Sequence, residues 1–354
     1  MYETLGLDIL PRQAAILLGL ALGLAFGVLA EVSKFCFRRA VAGPIGDRRA
    51  AAGVWLAGLA TAIIGTQLAV TQGLISFDEH RFLATDLPWL AILLGGLMFG
   101  AGMVLTRGCV SRLTVLTGTG NLRAALVLVV FAVIAHATLK GILAPLRTTL
   151  GGFTLPLQSA ALPGSALIWT AVLAGGAALA AWRFSARGRD LALGALIGLL
   201  VPLAWISTGY VLFDEFDPIA MESLSFTSPS AETLFWTVAA SSIPAGFGTG
   251  LIGGVILGAL ISSLSARRFQ WQSFESPRQT GRYIAGAALM GIGGVLAGGC
   301  TVGAGLSGVP TLSLAAILAL ISIAVGGALT ARLIQGDASL SAAGQATRQG
   351  QPAA

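Results

Sequence analysis

Nine times along this chain an apolar stretch reaches the length of a membrane crossing, and each is followed by a short run of charge, glycine or proline. One helix needs roughly 20 such residues to cross about 30 Å of hydrocarbon. Every backbone N–H and C=O in that layer must be satisfied within the protein, and alternating strands of about ten residues are absent, so the segments are read as helices. The expected crossings are 13–36, 50–72, 89–106, 122–146, 165–183, 191–213, 245–264, 283–299 and 311–333. With 55% hydrophobic and 10% charged residues, the chain has too little polar surface for a soluble fold. The fold class is therefore all-α and polytopic. The N-terminal MYETLGLDIL carries acids and no basic leader region, so the first apolar run is expected to stay as a helix.

Loop charge orients these helices, because Lys and Arg collect on the cytoplasmic side. With the N-terminus outside and the C-terminus inside, the inner segments hold 17 of the 21 Lys and Arg residues. The loops at 71–88 and 214–232 carry Asp78, Glu79, Asp86, Asp214, Glu215, Asp217, Glu222 and Glu232 on the other side. The net charge of +6 then belongs to the inner face and to anionic membrane lipid, not to a nucleic acid.

GGLMFGAGMVLTRGC at 95–109 returns as GAALMGIGGVLAGGC at 286–300, with seven of fifteen positions identical. Five crossings separate the copies, an odd number, so they run in opposite directions. The expected organisation is an inverted repeat about a pseudo-two-fold axis: 1–150 as the first half, 151–190 as a connecting helix, 191–333 as the second half, and 334–354 as a disordered Ala/Gly/Gln-rich tail. Segment 233–244, ended by Pro244, is a candidate further short helix.

Each copy ends in Gly-Cys, Gly108–Cys109 and Gly299–Cys300, followed by a short polar run (VSRLTVLTGTG at 110–120, TVGAGLSGVP at 301–310) too broken to cross. Both runs are expected to be broken or re-entrant elements beside a pathway, with first-turn N–H groups favouring an anion. Ser111, Thr114, Thr117, Thr301 and Ser307 would add hydroxyl donors. Arg107 could touch substrate or anchor the inner face, and its counterpart in the repeat is Gly298. Glu31 and Lys34 are spaced to pair on one helical face, with gating or substrate guidance as the alternative. His136 and Lys140 share a face of the fourth crossing, where two cationic donors could form a proton or anion relay, the alternative being that Lys140 snorkels outward.

The three cysteines are Cys36, Cys109 and Cys300. No C-x-x-C pair marks a disulfide relay, soft ligands are too few for a metal site, and no G-x-x-x-x-G-K-[ST] supports ATP coupling. No cofactor is expected. A thiol buried among apolar groups stays protonated and acts as a weak, polarisable S–H donor, which suits an anion with a soft sulfur end. The alternative is a membrane thiol enzyme carrying sulfur or selenium as a persulfide, with Arg38 and Arg39 activating Cys36. In a third class, a structural protein, the cysteines would only pack.

SKFCFRRA around Cys36, GAGMVLTRGC ending at Cys109, GALIGLLVPLAW at 194–205 and LMGIGGVLAGGCTVGAGLSG at 289–308 resemble the YeeE/YedE family of bacterial inner-membrane proteins. The resemblance runs over nearly the whole chain. It implies an hourglass-like helical transporter, with a periplasmic N-terminus and a cytoplasmic C-terminus, that takes up thiosulfate or a related small sulfur anion. It implies that Cys36, Cys109 and Cys300 line a narrow route and pass the anion on through S–H···S contacts. It also implies a separate TusA-like sulfur-carrier partner on the cytoplasmic side, and it leaves selenium or other sulfur compounds open as substrates.

Overall fold

The computed structural model describes residues 9–184, 187–214 and 218–349. Among them, nine helical segments are long and apolar enough to cross a membrane, and this is a polytopic all-α protein. Helix α1 (Pro11–Ser33) starts with Pro at its first position, where a missing N–H costs nothing, and the Leu10 N–H is taken by the Gln13 side chain at 3.3 Å. Then come α2 (Phe37–Ala42), α3 (Ile45–Thr71), α4 (Trp89–Leu105), α5 (Val110–Gly118), α6 (Leu122–Lys140), α7 (Ala144–Gly151) and α8 (Ala166–Phe184). The chain continues through α9 (Gly188–Ile206), α10 (Thr227–Val238), α11 (Phe247–Ser265), α12 (Pro277–Leu296) and α13 (Leu314–Gln349). Two-residue strands β1 (Asp86–Leu87) and β2 (Leu155–Pro156) pair antiparallel.

Small residues hold the bundle together, as expected where lipid supplies no hydrophobic force between helices. Gly19, Gly23 and Gly27 recur every fourth residue on α1, opposite Gly250, Gly254 and Gly258 on α11. A Cβ added at any of the six would run into the backbone of the other helix. Helix α4 uses two faces: Gly95 and Gly102 lie against α12, while Gly96 and Gly100 lie against α13.

Loop contacts gather at two opposite ends. At one, Asp86 pairs with Pro156, Ala161 bridges to Ser313, and Arg81 donates to the Gly298 carbonyl. At the other, Asn121 bridges to Gln272 and Arg123 pairs with Glu275 at 3.5 Å.

Several expectations change. The fourth crossing stops at Lys140, short of 146, because Gly141 leaves helical geometry and the Leu143 N–H folds back on Ala137 O at 3.0 Å; α7 follows separately. The short helix expected at 233–244 is α10, which begins earlier, at Thr227. The backbone of α13 stays helical to Gln349, so the tail expected to be disordered from 334 is helical that far, and 350–354 lie outside the described residues. Extending a formed helix avoids the nucleation cost.

The Glu31–Lys34 pair is also corrected. Glu31 accepts from Arg268 at 2.7 Å and from Ser262 at 2.8 Å. Lys34 ends α1 in a left-handed conformation and is exposed.

Candidate functional site

One backbone device is used three times. A helix ends, a residue with positive φ reverses the chain, and the second residue after it is a cysteine capping a short helical segment. Lys34 (φ 53) precedes Cys36 and α2; Arg107 (φ 60) precedes Cys109 and α5; Gly298 (φ 73) precedes Cys300 and a π-helical turn, Thr301–Gly308. The reversals return N–H groups to the preceding helix: Phe35 to Ala30 O at 3.1 Å, Gly108 to Met103 O at 3.0 Å, and Gly298 to Val295 O at 3.2 Å. A left-handed L-residue costs about 1–2 kcal/mol, so two of the three turns are held against local strain.

All three thiols are buried, with exposures of 4%, 1% and 0% for Cys36, Cys109 and Cys300. None is in a disulfide. Cys300 Sγ accepts the Gly303 N–H at 3.4 Å. The Cys36 and Cys109 sulfurs lie beside the corresponding third-residue N–H groups, of Arg39 and Arg112, without closing a cap bond. The Cys36 and Cys109 side chains interact with each other, and Cys109 also meets Ser111 Oγ at 3.3 Å and the side chain of Thr301. Cys300 stands in the field of Cys109 and beside the Phe226 N–H at the start of α10.

The supporting residues separate cleanly. Ser111 and Thr301 are at the thiols, and Thr301 Oγ1 is buried with no hydrogen-bond partner among the described residues. Thr114 and Thr117 are not available, since their hydroxyls donate to Val110 O at 3.0 Å and Leu113 O at 2.9 Å within α5. Ser307 donates to Leu224 O at 2.7 Å. Gly108 and Gly299 are buried in the turns, where a Cβ would press on Leu113 and Ala304 respectively. Lys34 and Arg107 are exposed on the far side of their turns. His136 stacks on Phe235 with ring centres 3.6 Å apart, and Lys140, one turn further along the same helix, is exposed.

Arg112 was not among the candidate site residues singled out from the sequence. Its guanidinium donates to Ala30 O at 3.1 Å and interacts with Cys36, Cys109 and Glu31. The signal was its spacing, three residues after Cys109 on one face of α5. An aromatic bridge was also illegible: Phe26 sits 6.2 Å from Phe35, next to Cys36, and 5.3 Å from Phe226, next to Cys300.

On the end that carries Arg81, a cavity of about 400 Å³ opens beside His80, Trp205, Glu222 and Glu232, and its floor includes Ser225, Gly303 and Ser307. It therefore reaches the turn that Cys300 caps. Arg81 donates to Gly298 O at 3.3 Å and lies over the Phe82 ring at 4.9 Å. Trp205 Nε1 and Thr227 Oγ1 are buried donors without a partner among the described residues. Burial lowers His80 to about 4, helped by Arg81, so its ring is neutral near pH 7. Burial, with repulsion from Glu232, raises Glu222 to about 7. Among the described residues no three His, Cys, Asp or Glu side chains group as metal ligands would.

Comparison with known proteins identifies relatives of this chain. The profile of the family described as sulphur transport matches residues 32–329. The chain is 26% identical over 274 residues to the thiosulfate transporter TsuA of Escherichia coli (strain K12), covering 69% of this chain and 72% of that one. It is 25% identical over 348 residues to the thiosulfate transporter TsuA of Spirochaeta thermophila, covering 87% and 96% respectively.

Proposed function

Since the chain belongs to the sulphur-transport family, we propose that it carries thiosulfate, or a closely related small sulfur anion, across the bacterial inner membrane along the three cysteines. The observation that carries this reading is the repeated turn, which presents each thiol at the start of a short helical segment. At Cys300 the Gly303 N–H on a sulfur lone pair holds the side chain and leaves its S–H free to donate. First-turn N–H groups and the Arg112 guanidinium add positive potential where a dianion would otherwise lose its hydration. A thiol is a weak donor, and successive weak sites let an ion advance without being trapped.

In this reading the anion enters by the Arg81 cavity, meets Cys300, passes Thr301 to Cys109 and Cys36, and leaves at the Arg-rich end. The Arg81 end is periplasmic and the Arg-rich end cytoplasmic, by loop charge. The related turns at Cys109 and Cys300 are then the centres of two inverted halves. A separate TusA-like carrier would collect sulfur at the cytoplasmic end, where exposed Arg107 stands.

The test is uptake of sulfur-labelled thiosulfate into proteoliposomes. Wild-type uptake that is lost in folded Cys36→Ala, Cys109→Ala and Cys300→Ala variants is the expected result. Undiminished uptake in all three would reduce the cysteines to packing and overturn the relay.

A further inference from the structure

The mouth of this route has the wrong charge for its cargo. Three carboxylates, Glu79, Glu222 and Glu232, line the cavity with a single guanidinium, Arg81, and His80 adds no charge near neutral pH. A dianion descending to Ser225, Gly303 and Ser307 would pass more negative than positive charge. Glu222 is the acid placed deepest. It is half-buried, next in sequence to Ser223 and Leu224, which tie to the turn after Cys300 through Ser307 at 3.5 and 2.7 Å. The Thr208 hydroxyl clamps both its N–H, at 3.0 Å, and its C=O, at 2.7 Å, so its backbone is fixed. Its carboxylate makes no ion pair among the described residues, although Arg81 is close enough to feel both Glu222 and Glu232.

Glu222 also borders a second cavity of about 170 Å³, which it shares with Glu232 and with Arg12 of α1. The charged and titratable groups lining these two cavities are therefore Arg12 from α1, Glu79, His80 and Arg81 from the loop before α4, and Glu232 from α10. Arg81 is thus shared between two acids, and an arriving anion must compete with both for it. Protonating Glu222 removes one competitor for Arg81 and one repelling charge from the mouth.

We propose that Glu222 is the proton-binding residue of the outer mouth, and that the anion moves past Arg81 to Cys300 only while the Glu222 carboxyl is protonated. The proton comes from outside water and returns there when Glu222 ionises again, only the carboxyl O–H bond forms and breaks, and Glu222 acts by positioning charge and not by touching the thiols. This inference rests on the thiosulfate reading above. Its working range follows from a carboxyl raised to about 7: protonated below that pH, ionised above it.

The experiment measures initial uptake of sulfur-labelled thiosulfate into proteoliposomes from about pH 6 to about pH 8, with and without an imposed inward proton gradient. Wild-type uptake is expected to fall roughly tenfold across this range, following the protonated fraction. Glu222→Gln, a neutral stand-in for the protonated acid, is expected to lose both that fall and any acceleration by the gradient. Glu232→Gln removes a repelling neighbour and should move the wild-type midpoint to lower pH, which keeps the inference testable if the first variant does not fold. A Glu222→Gln profile that still falls like the wild type would overturn the inference while leaving thiosulfate transport standing. Absence of wild-type uptake at every pH would overturn the transport reading and this inference with it.

Discussion

A sulfur atom in the cap position of a helical segment is a weaker acceptor than the oxygen of Ser, Thr or Asp. Only Cys300 closes its cap bond, at 3.4 Å, and the other two sulfurs leave first-turn N–H groups partly unmet. Replacing Cys109 with Ser should therefore hold or raise the melting temperature while lowering thiosulfate uptake about tenfold, the size of one lost contact to an anion. The pairing of a stability scan with an uptake assay checks this, and a variant that transports normally would remove the need for sulfur. Thr301→Val tests the orphan hydroxyl beside Cys109: no protein partner is lost, so the fold should be as stable or slightly more so, and uptake should drop. Arg107→Gly copies Gly298 at the matching turn. It should gain about 1 kcal/mol by relieving a left-handed residue, with uptake unchanged, because Arg107 is exposed while the thiols are buried.

Among the elements, the α1–α11 pair depends on backbone approach. Gly23→Leu would drive a side chain into Leu251 O and Gly254 Cα, where neither helix can give way. Overpacking of this kind costs about 1–3 kcal/mol and more against rigid backbone, so we expect a melting temperature lowered by several degrees, or aggregation, in a size-exclusion thermal assay. A similar melting curve to the wild type would mean that the two helices are not in close contact. The elements were mostly legible beforehand. Crossings at 50–72, 89–106 and 165–183 are observed as Ile45–Thr71, Trp89–Leu105 and Ala166–Phe184, because an apolar run of about 20 residues has one way to meet a bilayer. The break at Gly141 was missed, since the apolar pattern runs on through Ile142 and Leu143 while the backbone does not.

Across the whole molecule, charge separates by end, and the orientation can be tested with exposed positions at each. In oriented vesicles Lys140→Cys should react with an impermeant thiol reagent from the periplasmic side and Arg107→Cys from the cytoplasmic side, on a background where the buried native thiols stay silent. Labelling of both from one side would contradict the assigned crossings.

The sequence by itself determined that this is a polytopic helical protein, and singled out the three cysteines with Gly108, Gly299, Ser111 and Thr301, because hydropathy, glycine spacing and a repeated Gly-Cys ending are local patterns. Only the tertiary structure decided that Glu31 belongs to Arg268 and not Lys34, that Arg112 stands beside Cys36 and Cys109, and that an acid-rich cavity leads to Cys300. Each of those depends on which helices lie side by side. Partners more than two hundred residues apart, such as Glu31 and Arg268, leave no periodic trace along the chain, and the direction in which a turn throws a side chain is set by φ, which Lys34 and Arg107 adopt against their own preference.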